Sequence, residues 1–298
     1  MESGNPSYSA SYAPALGNLD EFRMWLHKSE DSFRPKADAL DTIQGGMSTR
    51  VYSVFFHFLH ATANALALHP TVASLAVNIF DRYLSHARVG ENKLSHLAVA
   101  SIHLAAKSSN EHISTESVLR CLGESRGMFS REDLILIEKE VLNALEWRLQ
   151  AVTPYTFLYA YFSDFPESLR LLLENDSDSN GMRSLSVDQL GEKARFFVDL
   201  ADSEYRFRAY HNSSIAAAAI RCALFVSGAD TRDMRRWLVS FGKVGLDVVE
   251  AHIVTKELLS SFRQLQNEQS SETTGPQQES DTPSASSPNG PSAKRRHH

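Results

Sequence analysis

Between Lys93 and Lys107 the chain reads LSHLAVASIHLAA, a stretch without a formally charged residue in which Ala98, Ala100, Ser101, Ala105 and Ala106 are small. A helix at a protein surface keeps a polar face opposite its apolar stripe. This segment has no such face, so it is predicted to be a helix packed on several sides, its small residues letting neighbours approach closely. Lys107 marks its return to the surface. A chain built around such an element is an all-α bundle.

The pattern occurs twice. SHLAVASI at 95–102 is echoed by SSIAAAAI at 213–220, and LIEKEVLNALEWRLQ ending at Gln150 by AHIVTKELLSSFRQLQ ending at Gln266, each pair about 117 residues apart. Two copies of one five-helix unit are therefore expected. Their helices are predicted at about 48–66, 70–86, 92–108, 114–123 and 130–147, then 154–164, 186–203, 212–227, 231–241 and 246–265. Start signals support them: Pro70 in HPTVAS, Ser130 with Asp133, Thr153-Pro154, and Ser186 with Gln189. An extra helix at 18–30 carries Leu19, Phe22, Trp25 and Leu26 on one face. The expected domains are 17–150 and 151–266, with ENDSDSNGMRSLS at 174–186 a polar loop. Residues 1–16, made largely of Ser, Tyr, Pro and Ala, and 267–298, rich in Ser, Pro, Gln and Glu, read as disordered.

Composition narrows the function. A formal net charge of -6 and a pI near 6.1 disfavour a nucleic-acid or membrane-surface binder and point to a protein partner. Cys121 and Cys222 are the only cysteines, so neither a disulfide framework nor a metal knuckle is expected. The N-terminal stretch lacks a secretory pattern and no run is long and apolar enough to span a membrane. The common phosphate-loop, zinc and nucleophile motifs are absent, so no catalytic residue, cofactor or small-molecule ligand is expected. His57 and His60 share a helix face and read as packed residues rather than a zinc site. On the helical wheel Asp81 and Arg82 fall at the margins of a narrow polar arc, which reads as two solvated charges.

In order and spacing, several fragments resemble the cyclin box: SLAVNIFDRYLS, KLSHLAVASIHLAAKSSNEH, and FSREDLILIEKEVLNALEWRLQAVTPYTFL. YHNSSIAAAAI extends the likeness toward D-type cyclins. The resemblance implies a duplicated five-helix fold, and a regulatory subunit that binds and activates a cyclin-dependent protein kinase by repositioning the kinase αC helix. It implies that Lys107 and Glu138 are the polar anchors of that contact, and that Asp81 pairs with Arg50 of the first box helix. In MSTRVYSVFFHFLHA, Arg50 and Phe56 stand for the Arg and Trp of a substrate-docking patch, but Tyr52 and Ser53 break its hydrophobic triplet. A cyclin-fold interaction or transcription-scaffold protein that binds no kinase is the competing reading. Thr282-Pro283 and Ser287-Pro288 are minimal proline-directed phosphorylation sites, and Lys294-Arg295-Arg296 is a short basic cluster suited to nuclear import. Nucleus and cytoplasm are the expected locations.

Overall fold

The computed structural model describes residues 18–121, 129–163, 165–175 and 185–272. Its contacts divide the chain into a unit ending at Phe262 and another beginning at Arg263. The first unit is the subject below. Among the described residues it is built of helices without strands: α1 (Leu19–Glu30), α2 (Ala39–Thr42), α3 (Thr49–Ala65), α4 (Pro70–Leu84), α5 (Glu91–Ser108), α6 (Thr115–Arg120) and α7 (Arg131–Ala144). There follow α8 (Pro154–Phe162), α9 (Glu167–Asn175), α10 (Val187–Ser203), α11 (Asn212–Val226), α12 (Arg232–Ser240) and α13 (Val248–Glu272), of which the part up to Phe262 belongs to this unit.

The two alanine-rich helices occupy the centres of their surroundings. Every residue of α5 from Leu97 to Ala106 is buried, and it packs against α3, α4, α6 and α7. Residues Ser213 to Ile220 of α11 are likewise buried, against α1, α8, α10 and α12. A charge within either run would have to leave water without a partner, which explains its absence from the sequence. Ser101 fits because its hydroxyl donates to the Leu97 carbonyl one turn back.

The start signals act as capping groups. Ser130 Oγ accepts from the Asp133 amide while the Asp133 carboxylate accepts from the Ser130 amide, and Ser186 with Gln189 repeats the exchange. Pro70 stands in the first turn of α4, where its missing N–H costs nothing.

Besides the short α2, which the sequence periodicity did not place, further features depart from expectation. Residues 167–175 form α9, a helix placed nowhere by the sequence periodicity. Helix α13 continues to Glu272, so residues 267–272 are helical rather than part of a disordered tail. Helix α7 ends at Ala144, because Glu146 and Trp147 take left-handed φ values of 53° and 60° that no helix continues. The buried face of α1 is Arg23, Leu26 and Glu30, with Trp25 exposed. Arg23 donates from Nε and Nη2 to the Ala160 carbonyl at 3.0 and 2.8 Å, and Glu30 accepts from the Ser213 amide and hydroxyl. Polar anchors thus fix α1 where an apolar face was expected.

His60 on α3 lies against the Phe56 ring at 4.3 Å, and its Nε2 is buried without a hydrogen-bond partner. Burial, then the charges of His57 and Arg208, pushes its pKa down to about 4 from 6.5. Because the folded-state value is depressed, the neutral ring's contribution is complete above pH 6.5 and is lost as the pH falls to about 4. Over that interval the residue should withdraw about 3 kcal/mol of stability. Denaturant unfolding of His60→Leu is expected to show a flatter pH dependence than the parent, and equal slopes would refute the assignment.

Candidate functional site

The end of α5 is fixed by its own backbone. Asn110 adopts φ 57°, the Glu111 amide donates to the Ala106 carbonyl and the Asn110 amide to the Lys107 carbonyl, a Schellman-type stop. Lys107 is thereby held in the last turn, where a cation also complements the helix dipole. Its side chain is 51% exposed. Facing it from α7, Glu138 is buried and accepts from Lys107 Nζ at both carboxylate oxygens, each at 2.9 Å. The buried His103, one turn before Lys107, meets Glu138 Oε1 through Nδ1 at 2.6 Å. Burial works to raise the Glu138 carboxyl, but the hydrogen bonds and charges of His103 and Lys107 outweigh it and hold it below the usual range. The two residues expected as anchors, 31 positions apart, are brought together as one ion pair.

Large apolar side chains are exposed on the helix that carries Glu138 and just beyond its end. Ile135, one turn before Glu138 on α7, is 52% exposed, and Trp147 beyond the helix end is 68% exposed. The Trp147 segment is tied to the end of α5 by Gln150, whose amide donates to the Ser108 carbonyl. A half-exposed cation, a buried carboxylate and a projecting indole form the kind of mixed surface that protein partners use. His103 and Trp147 were not singled out by sequence. The indole's signal was its place just past the end of a helix, at a position that needs an unusual backbone.

Asp81 and Arg82 are buried, not solvated. Arg50 is exposed and does not reach Asp81, so the pairing implied by the resemblance is corrected. The partner is Arg208, in the 3₁₀ turn after α10, whose Nε donates to Asp81 Oδ2 at 2.5 Å. Its Nη2 donates to the Tyr52 hydroxyl and the Asp202 carbonyl oxygen, both at 2.9 Å, and Nη1 reaches Asp202 Oδ1 at 3.3 Å. The Tyr52 hydroxyl donates to Asp81 Oδ2 at 3.1 Å. Tyr52, the residue that breaks the hydrophobic triplet, thus serves this node, and Tyr205 packs edge-on against its ring. Burial pushes Asp202 up to about 7 against the pull of Arg208, and raises Asp81 likewise. Nothing in the repeat pattern marked Arg208, because it lies in a connecting turn without periodicity. Phe56, the stand-in for the docking Trp, is buried. Thr282 and Ser287 lie outside the described residues.

Residues 21–150 match the family model described as cyclin, N-terminal domain. Over that stretch the chain carries a cyclin-type N-terminal domain. It is 29% identical over 203 residues to Cyclin-A1-2 of Oryza sativa subsp. japonica, covering 68% of this chain and 39% of that protein. To Cyclin-D1-2 of the same plant it is 28% identical over 243 residues, covering 78% and 64%, and to its Cyclin-B1-1 27% identical over 205 residues, covering 69% and 42%. The chain therefore spans less than two thirds of the length of these relatives. A-, B- and D-named cyclins match at nearly equal identity, so they do not single out the D-type likeness. Among solved structures, a viral cyclin from herpesvirus saimiri shares the fold, with a TM-score of 0.58 at 18% identity, over 82% of this chain and 94% of that one.

Proposed function

We propose that this chain is a non-catalytic regulatory subunit, which binds a cyclin-dependent serine/threonine protein kinase, activates it and so controls cell-cycle progression. The observation that carries the reading is the Lys107–Glu138 pair, one member half exposed and the other buried, with Ile135 exposed on the helix of Glu138 and Trp147 exposed beyond its end. An exposed ammonium at a helix end can donate to backbone carbonyls of a partner helix, and the carboxylate beneath it can accept amides. The exposed indole and isoleucine supply the apolar area that lets such polar contacts be desolvated. Activation then consists of holding the kinase αC helix in its productive position, where its Glu can pair with the β3 Lys. The chain itself contributes no reacting group.

Purified chain is to be mixed with purified cyclin-dependent kinases, and phosphate transfer to a protein substrate measured. Transfer is expected only when chain and kinase are both present. If the chain binds none of the kinases, the interaction-scaffold reading takes its place. The same reaction, read by mass spectrometry, reports whether Thr282 and Ser287 are substrates of the bound kinase. Action in the nucleus as well as the cytoplasm belongs to the same proposal, and imaging a variant with Lys294, Arg295 and Arg296 replaced tests the import element.

A further inference from the structure

A cavity of about 200 Å3 lies where the segment after α1, the end of α4 and the segment after α7 meet. Arg34 and Lys36 line it from the first, Arg82 from the second and Arg148 from the third. Its charge is poorly neutralised. Arg34 has Asp31 at 3.4 Å, but among the described residues no carboxylate forms an ion pair with Lys36, Arg82 or Arg148. Glu146 lines the wall as the single acidic group there, and His86 adds a further nitrogen base.

Arg82 is the unusual member. It is only 7% exposed, and among the described residues its one hydrogen-bond acceptor is the Arg148 carbonyl oxygen, 2.8 Å from Nη1. Both guanidinium groups lie over the Phe33 ring, at 5.2 and 5.0 Å from its centroid. Burial, then the neighbouring Arg148 charge, lowers the Arg82 pKa to about 10. Arg82 is a buried cation with no counter-charge among the described residues and a second, exposed cation, Arg148, beside it, an arrangement that is costly unless an anion joins them. Planar guanidinium forks suit the oxygens of a phosphoryl group better than any other common anion except a carboxylate.

We propose that this cavity binds a phosphoryl group, with Arg82 and Arg148 as the principal donors and Lys36 and Arg34 completing the positive wall. The group is either free phosphate or a phosphorylated side chain of a peptide. The site is separate in its residues from the Lys107–Glu138 pair, so it is tested on the full chain alone, without a kinase. Three probes are titrated at matched ionic strength: inorganic phosphate, a phosphothreonine peptide and its unphosphorylated twin, with chloride as the reference. Phosphate is expected to raise the melting temperature saturably. The variant Lys36→Gln/Arg148→Gln changes two exposed side chains, and should bind about tenfold more weakly or worse. A phosphopeptide about tenfold tighter than free phosphate assigns the site to a modified protein, and equal affinities assign it to the free ion. No saturable effect, undiminished binding by the variant, or equal binding of the unphosphorylated twin would overturn the proposal.

Discussion

Asp81→Ala is expected to destabilise the fold by about 3–5 kcal/mol, the cost of breaking one side of a buried ion pair. The loss falls toward the lower end, because Asp202 still stands 3.3 Å from Arg208 Nη1. The substitution also strips the Tyr52 hydroxyl of its acceptor in a place that water does not reach. Arg50→Ala should change stability by less than about 0.5 kcal/mol, as exposed substitutions generally do. Urea unfolding of Asp81→Ala, Arg208→Ala and the double variant forms a cycle in which the two single losses should be far from additive. Should Arg50→Ala cost as much as Asp81→Ala, the node described here would be the wrong one. The consequence reaches beyond stability, since Asp81 belongs to α4 and Arg208 to the turn after α10, 127 positions later. This contact ties α4, which packs against the helix of Lys107, to the turn after α10.

The Lys107→Ala/Glu138→Gln double variant is expected to weaken kinase binding by about 2–5 kcal/mol while the chain stays folded, if both groups are desolvated on binding. Lys107 alone should matter little to the free protein, because an ion pair with one half-exposed member contributes about 0–1 kcal/mol. Glutamine at 138 keeps an oxygen facing His103, so that the buried ring is not left without an acceptor. In the free chain Lys107 and Glu138 satisfy each other, and on the proposed function binding exchanges that pair for contacts to the partner. The single variants should therefore couple in a binding cycle. Calorimetry with the kinase and far-ultraviolet circular dichroism of each variant separate the effects. Parent-like affinity in the double variant would remove these residues from the interface.

Much of the architecture was written in local patterns. The uncharged runs in α5 and α11 specify buried central helices because no charge can remain there unpaired, and that reasoning needs no knowledge of the neighbours. Caps such as Ser130 with Asp133 and Ser186 with Gln189 are legible because donor and acceptor sit three residues apart. Lys107 and Glu138 came from resemblance to the cyclin box, and their individual exposures could not be read from it. Short range was also the limit. Periodicity assumes that polar residues face water, so it left Asp81 and Arg82 outside, put Trp25 on the buried side of α1 and missed that Arg23 and Glu30 join Leu26 there. Only the tertiary structure supplies the Arg208 guanidinium for Asp81, the Ala160 carbonyl for Arg23 and the Ser213 amide for Glu30. A polar side chain can be buried when its partner arrives from far along the chain, and a sequence read locally does not contain that partner's position.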